Sequence, residues 1–148
     1  MKFLFLILTT IFFLENNFAS DKLYLPFIVD LNKLEAMKSN ELQKGSIDVG
    51  KNIFKSRAVN CLSCHEAPIP EERFHGNFGP SLIGIGSKYK KAEIRIRVID
   101  AKLINPETIM PSYFKIQKYP RTPEKFFDKT ILKAEEVEHI VEYLYSLK

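Results

Sequence analysis

The segment Cys61-Leu62-Ser63-Cys64-His65 constrains this chain most, because it places two thiols three positions apart with an imidazole directly after them. This C-x-x-C-H spacing is that of a covalent haem-attachment site. Each thiol can form a thioether with one vinyl group of a haem, and the following histidine is then held beside the iron. We therefore expect one covalently bound haem c, attached at Cys61 and Cys64, with His65 as an axial ligand.

Two other uses of paired cysteines fit the sequence less well. A structural zinc site needs four ligands, and no second C-x-x-C or H-x-x-x-H pattern follows the motif. A thioredoxin-type pair belongs in a βαβ pattern, and none surrounds Cys61. The chain has two cysteines, both within the motif, so no thiol is left for a disulfide, a second haem or catalysis.

The first twenty residues have the pattern of a secretory signal peptide. Lys2 precedes an apolar run over residues 3–14, which is short for a bilayer span, and a polar stretch then ends at Ala19-Ser20. The sequence predicts cleavage after Ala19 or Ser20, export to the periplasm and no membrane span in the mature chain. An uncleaved anchor is the alternative. Export agrees with the haem prediction, since c-type haem is attached outside the cytoplasm.

After residues 1–20, we expect an N-terminal extension over residues 21–47 and a single domain over residues 48–148. Residues 30–44 of the extension are predicted to form a short helix, which Gly45 would end. The extension either packs on the domain or docks a partner, and the sequence does not separate these two roles.

Three helices are predicted in the domain. The first covers residues 49–57, with Asp48 as its N-cap. The second covers residues 92–104, where alternating apolar residues also fit a strand, but no partner strand follows. The third covers residues 133–148 and carries an apolar stripe at helical spacing.

The charge pattern is mild. The formal net charge is +4, which is compatible with an acidic protein partner. No basic stripe with interleaved aromatic residues appears, so nucleic acid is not an expected partner. The basic run of Lys88, Lys90, Lys91, Arg95 and Arg97 is expected to be a solvated face, with a docking patch as the alternative.

Two loop residues complete the candidate haem site. The Pro80 carbonyl is assigned as the acceptor for the Nδ1–H of His65, since a ligating histidine usually donates its other ring N–H; a plain turn is the alternative. Met110, in a proline-flanked loop, is predicted to provide the sixth iron ligand through its thioether. His75 and His139 are the rival ligands.

These features in this order resemble a class I cytochrome c. A helix, C-x-x-C-H, Gly-Pro-x-Leu-x-Gly, a helix, a Met-Pro loop and a closing aromatic helix follow one another over residues 48–148. The resemblance implies a small all-α domain around one covalent haem, in which the first and last helices cross. Gly50 and Phe54 would then meet Tyr143 and Leu144.

The chain is more closely similar to the SoxX family, the monohaem cytochrome subunits of sulfur-oxidation complexes. Residues 76–85, 105–113 and 129–148 carry this resemblance. It implies a heterodimer with a SoxA-type c-type cytochrome, and a complex that couples thiosulfate to a cysteine of the carrier SoxYZ as an L-cysteine S-thiosulfotransferase. A downstream cytochrome c would accept the electrons.

Within such a complex this chain would transfer electrons and hold no catalytic residue, because it has no spare thiol. Two alternatives stay open at this point. One is a free-standing cytochrome c that shuttles electrons to a terminal oxidase, and the other is a haem enzyme with an open iron, such as a peroxidase.

Overall fold

The structure is a computed structural model that describes residues 21–116, 124 and 127–148, so the predicted signal peptide lies outside the described residues. The elements are, in chain order, strands β1 (Phe27–Asp30) and β2 (Glu35–Lys38), then helices α1 (Ile47–Lys55), α2 (Ile85–Lys88), α3 (Lys91–Asp100) and α4 (Ala134–Ser146). Short 3-10 turns cover Asp21–Tyr24, Cys61–Ser63 and Ala101–Leu103. None of the helices within the described ranges has the length and hydropathy to cross a bilayer.

The first and last helices cross at a glycine. A Cβ on Gly50 of α1 would collide with the carbonyl oxygen of His139 in α4, so only glycine permits this approach. Beside the crossing, the rings of Phe54 and Tyr143 pack with their centroids 5.4 Å apart. The crossing of α1 and α4 holds the two ends of the domain together.

The N-cap of α1 is Ser46, and the predicted Asp48 cap is wrong. The Ser46 hydroxyl accepts a hydrogen bond from the N–H of Val49 at 3.4 Å, while Asp48 lies inside the first turn. An acidic side chain there still interacts favourably with the helix dipole. Helix α1 begins at Ile47 because the serine satisfies an N–H that would otherwise have no partner.

The helices predicted over residues 92–104 and 133–148 are present. The first is α3 with the 3-10 turn that follows it, so the alternative of a strand is wrong. Helix α4 starts after Lys133, whose side chain cannot accept a hydrogen bond. Its backbone N–H instead donates to the Glu136 carboxylate at 2.7 Å, the reciprocal half of a capping box.

The extension forms a β-hairpin, and the helix predicted over residues 30–44 is wrong. The Asp30 carboxylate accepts from the N–H groups of Asn32 and Lys33, at 3.0 and 3.1 Å, and so fixes the turn. Strands β1 and β2 are antiparallel, and Val29 pairs with Ala36 on the buried face. Because this face packs on α3, the extension lies on the domain.

A buried ion pair joins the hairpin, α3 and α4. Arg95 donates to both carboxylate oxygens of Glu138, at 2.5 and 2.9 Å, and to the Ala36 carbonyl at 2.7 Å. Arg95 is 4% exposed and Glu138 is 1% exposed. The expectation that the whole basic run forms a solvated face is therefore wrong at Arg95.

We predict that Glu138→Gln destabilises the holo-protein by about 3 to 5 kcal/mol, because it leaves the Arg95 charge buried without its counter-ion. Denaturant unfolding followed by circular dichroism measures this loss. The matched control is Glu135→Gln on the exposed face of the same helix, which we expect to change stability by less than about 0.5 kcal/mol. Equal effects of the two substitutions would contradict the importance of the buried pair.

Candidate haem site

One cavity of about 290 Å³ brings together the residues that the sequence nominates for the haem. Cys61, Cys64, His65 and Met110 all line it. Its remaining walls are mainly apolar and come from α1, α3, α4 and the loop before α2. They include Phe54, Leu82, Ile94, Val98, Ile140 and Leu144.

The C-x-x-C-H motif folds as a tight turn. It begins after Asn60, which has left-handed backbone angles (φ 60°, ψ 34°), and the N–H of His65 donates to the Cys61 carbonyl at 3.0 Å. The turn thus presents both thiols and the imidazole to one cavity. Burial raises the pKa of the Cys61 thiol to about 12, so this thiol is protonated at neutral pH until a thioether replaces it.

The imidazole of His65 has a fixed tautomer. Its Nδ1 lies 2.8 Å from the Pro80 carbonyl oxygen, which can only accept, so Nδ1 carries the proton and donates. The lone pair of Nε2 is then available to a metal. Gly79 lies against the same ring, and a Cβ at Gly79 would overlap the imidazole. The loop before Pro80 therefore orients the ring both by hydrogen bonding and by close packing.

Met110 reaches the cavity from the loop after α3. Its N–H donates to the Thr108 hydroxyl at 3.2 Å, and Lys102 Nζ donates to the Thr108 carbonyl at 2.7 Å. The two rival ligands are engaged elsewhere. His75 Nδ1 accepts from the N–H of Ala67 at 3.3 Å, and His139 Nδ1 accepts from the N–H of Ser46 at 2.8 Å. Neither histidine lines the cavity.

Sequence reasoning missed Arg97 as a cavity residue. Among the described residues that line the cavity, no other is an Asp, Glu, Lys or Arg, so Arg97 brings the one full side-chain charge of that type. Its guanidinium lies 4.2 Å from the ring centroid of Tyr89 and donates to the Glu93 carbonyl at 2.6 Å. The helical spacing of Ile94, Arg97 and Val98 was the available signal, since all three lie on one face of α3.

Tyr113, an aromatic residue of the loop after Met110, also lines the cavity. Its hydroxyl donates to the Val59 carbonyl at 3.1 Å, and burial raises the pKa of this phenol, so it stays neutral. The set of two thiols, one imidazole and one thioether within apolar walls suits a haem, and a single guanidinium suits the charge of its propionates. The residues present therefore fit a covalently bound haem.

A small helical domain with a C-x-x-C-H turn facing an apolar cavity is the architecture of a c-type cytochrome. The cytochrome c family model matches residues 47–148, and the chain belongs to that family. It therefore carries covalently bound haem c, and the predicted class I cytochrome c-like fold with an N-terminal extension is confirmed.

The chain is also similar to a solved structure, the crystal structure of SoxXA from P. pantotrophus. The sequences are 27% identical, the match covers 82% of this chain and 94% of that one, and the TM-score is 0.72. No curated protein matches the chain.

We predict that Gly79→Ala alters the electron paramagnetic resonance spectrum of the ferric haem, because the new methyl group forces the His65 ring to rotate or shift. The matched control is Gly84→Ala, since Gly84 lies in open space at φ 73°. We expect Gly84→Ala to lower the stability by about 1 to 2 kcal/mol, because alanine is strained in a left-handed backbone conformation. It should leave the spectrum unchanged. An unchanged spectrum in Gly79→Ala would contradict the packing of His65 on Gly79.

Proposed function

We propose that this cytochrome is the electron-accepting subunit of a SoxAX-type complex that couples thiosulfate to a carrier-protein cysteine. The observation that carries the proposal is the extent of the similarity to SoxXA. It covers 82% of the chain, whereas the family model covers about two thirds of it, so the similarity continues into the N-terminal extension. Similarity to a haem domain alone would not extend into the N-terminal extension.

We assign the haem contacts to residues that line the cavity. Cys61 and Cys64 form the thioethers, His65 binds the iron through Nε2, and the Pro80 carbonyl keeps Nδ1 protonated. Met110, which lines the same cavity, would provide the second protein ligand to the iron. Haem bound in this way supplies a one-electron couple, and a thioether ligand raises its reduction potential. If Met110 and His65 both bind the iron, they would leave no position on it open to substrate.

The electron count defines what this chain contributes. Joining thiosulfate to a thiol forms one S–S bond and releases one proton and two electrons. The chain has one C-x-x-C-H motif and no other cysteine, so it holds one electron at a time and cannot carry the sulfur. We therefore place the sulfur chemistry on a SoxA-type cytochrome acting on SoxYZ, and we expect a downstream cytochrome c to receive the electrons singly. The predicted signal peptide would direct this chain to the periplasm.

A free-standing electron shuttle is the alternative. Such proteins dock transiently through surface charge, and lysines round the haem are the expected signature. No lysine belongs to the described residues that line the cavity, and Arg97 there is stacked on Tyr89. The cavity lining does not describe the surface round it, so the preference for a lasting partner rests on the similarity to SoxXA.

We predict that Met110→Ala abolishes the visible charge-transfer band between a methionine sulfur and ferric iron and lowers the reduction potential. Absorption spectroscopy and a potentiometric titration of the holo-protein measure the two changes. Met37→Ala is the matched control, since Met37 is exposed on the outer face of the hairpin, and it should leave both unchanged. If Met110→Ala also changes neither, the iron has another ligand or is open, as in a haem enzyme.

We further predict that the mature chain, tagged and purified from the exported fraction of its host, co-purifies with a second c-type cytochrome that has a reactive cysteine. Adding thiosulfate with the carrier protein should then reduce the haem, and the change in haem absorbance measures this reduction. Omitting the carrier protein is the control and should leave the haem oxidised. A chain that purifies alone and stays oxidised with both additions would rule out the sulfur-oxidation role and leave the electron shuttle.

A further inference from the structure

A fully buried carboxylate links the extension to the loop that carries Met110. Asp100, the last residue of α3, is 0% exposed. Its Oδ2 accepts from the Tyr24 hydroxyl at 2.6 Å and from Lys115 Nζ at 3.2 Å. Its Oδ1 accepts from the Ser112 hydroxyl at 2.5 Å and from the N–H of Lys102 at 3.1 Å. Both oxygens are therefore paired.

The charge state of Asp100 agrees with this arrangement. Burial alone would raise the pKa of the carboxyl group, but the hydrogen bonds from Ser112, Tyr24 and Lys115 outweigh burial and bring the pKa below its usual range. Asp100 is thus a carboxylate at neutral pH, and hydrogen bonds to an ionised acceptor are stronger than those to a neutral one.

The three side-chain donors come from two distant parts of the chain. Ser112 follows Met110 by two residues, and Lys115 lies on the same segment. Tyr24 belongs to the extension. A direct contact between the same two parts is apolar, because Phe27 of β1 packs edge-on against Phe114 with ring centroids 4.9 Å apart. The extension thus contacts the segment after Met110 directly at Phe27, and is linked to it indirectly where Tyr24 and Ser112 donate to the same carboxylate.

We propose that the extension acts as a clamp on the Met110 loop, with Tyr24 and Asp100 as positioning residues that hold the loop in place through Ser112. The inference rests on the proposed ligation of iron by Met110. Since Met110 and Ser112 are separated by Pro111 alone, fixing the Ser112 side chain restricts where the Met110 thioether can lie. Loss of the hydrogen bond from Tyr24 or from Ser112 to Asp100 should therefore release the loop from the iron more often.

Imidazole binding to the ferric holo-protein tests the clamp, because imidazole can reach the iron only when the Met110 sulfur has left it. The apparent affinity then reports the fraction of molecules with the loop released. We expect Tyr24→Phe and Ser112→Ala each to raise the affinity about tenfold, equivalent to about 1.4 kcal/mol. The methionine-to-iron charge-transfer band should remain in both variants without imidazole.

Two controls separate positioning from general stability. Tyr143→Phe also removes a buried phenol, but the Tyr143 hydroxyl has no hydrogen-bond partner in the described structure and is not bonded to Asp100. Val137→Ala lowers the stability of the core without touching the cavity or Asp100. Imidazole affinity should stay within twofold of wild type in both. If Tyr24→Phe fails to mature, Ser112→Ala alone decides.

The outcomes distinguish the clamp from the ligation on which it rests. Suppose that Met110→Ala abolishes the charge-transfer band, but Tyr24→Phe and Ser112→Ala bind imidazole with wild-type affinity. Met110 would then be the ligand, and the clamp alone would be overturned. An affinity increase in Val137→Ala equal to that in Ser112→Ala would also overturn it, since the effect would then be general destabilisation. A spectrum that does not depend on Met110 would overturn the ligation and the clamp together.

Discussion

The close crossing of α1 and α4 at Gly50 is the contact on which the rest of the structure depends. It brings the end of α1 beside α4, and the C-x-x-C-H turn follows α1 after a few residues. Phe54 from α1 and Leu144 from α4 consequently line the same cavity as Cys61. Because a side chain at Gly50 would collide with the His139 carbonyl, the missing Cβ permits the close approach of the two helices that form these cavity walls.

The parts of the fold that the sequence predicts correctly are those set by local spacing. The helix over residues 133–148 has an apolar stripe that no other structure would bury. The hairpin was missed because Leu31, Leu34 and Met37 are spaced as on a helix, while the deciding contacts are hydrogen bonds from the Asp30 side chain to its own turn. A local hydrogen bond thus outweighed a weak apolar pattern.

The candidate site also contains residues that local spacing predicts and residues that it does not. Cys61, Cys64 and His65 are evident from spacing, since covalent attachment requires those atoms in that order. Arg95 and Arg97 were grouped with exposed lysines, although one is paired with Glu138 and the other lines the cavity. The partner of Arg95 lies 43 positions along the chain, so no local pattern reveals that pair. Arg97 is different, because its helical spacing with Ile94 and Val98 does place it on the cavity face of α3.

The buried charges lie outside the cavity, and this separation has a physical consequence. Apolar packing is not directional, so a hairpin held by apolar contacts alone could slide along α3. The ion pair of Arg95 with Glu138 and the carboxylate of Asp100 are directional, and each would lose hydrogen bonds if the hairpin shifted. Burying charge contributes little net stability, yet it fixes one register. The polar groups thus define where the extension lies, and the cavity walls stay mainly apolar.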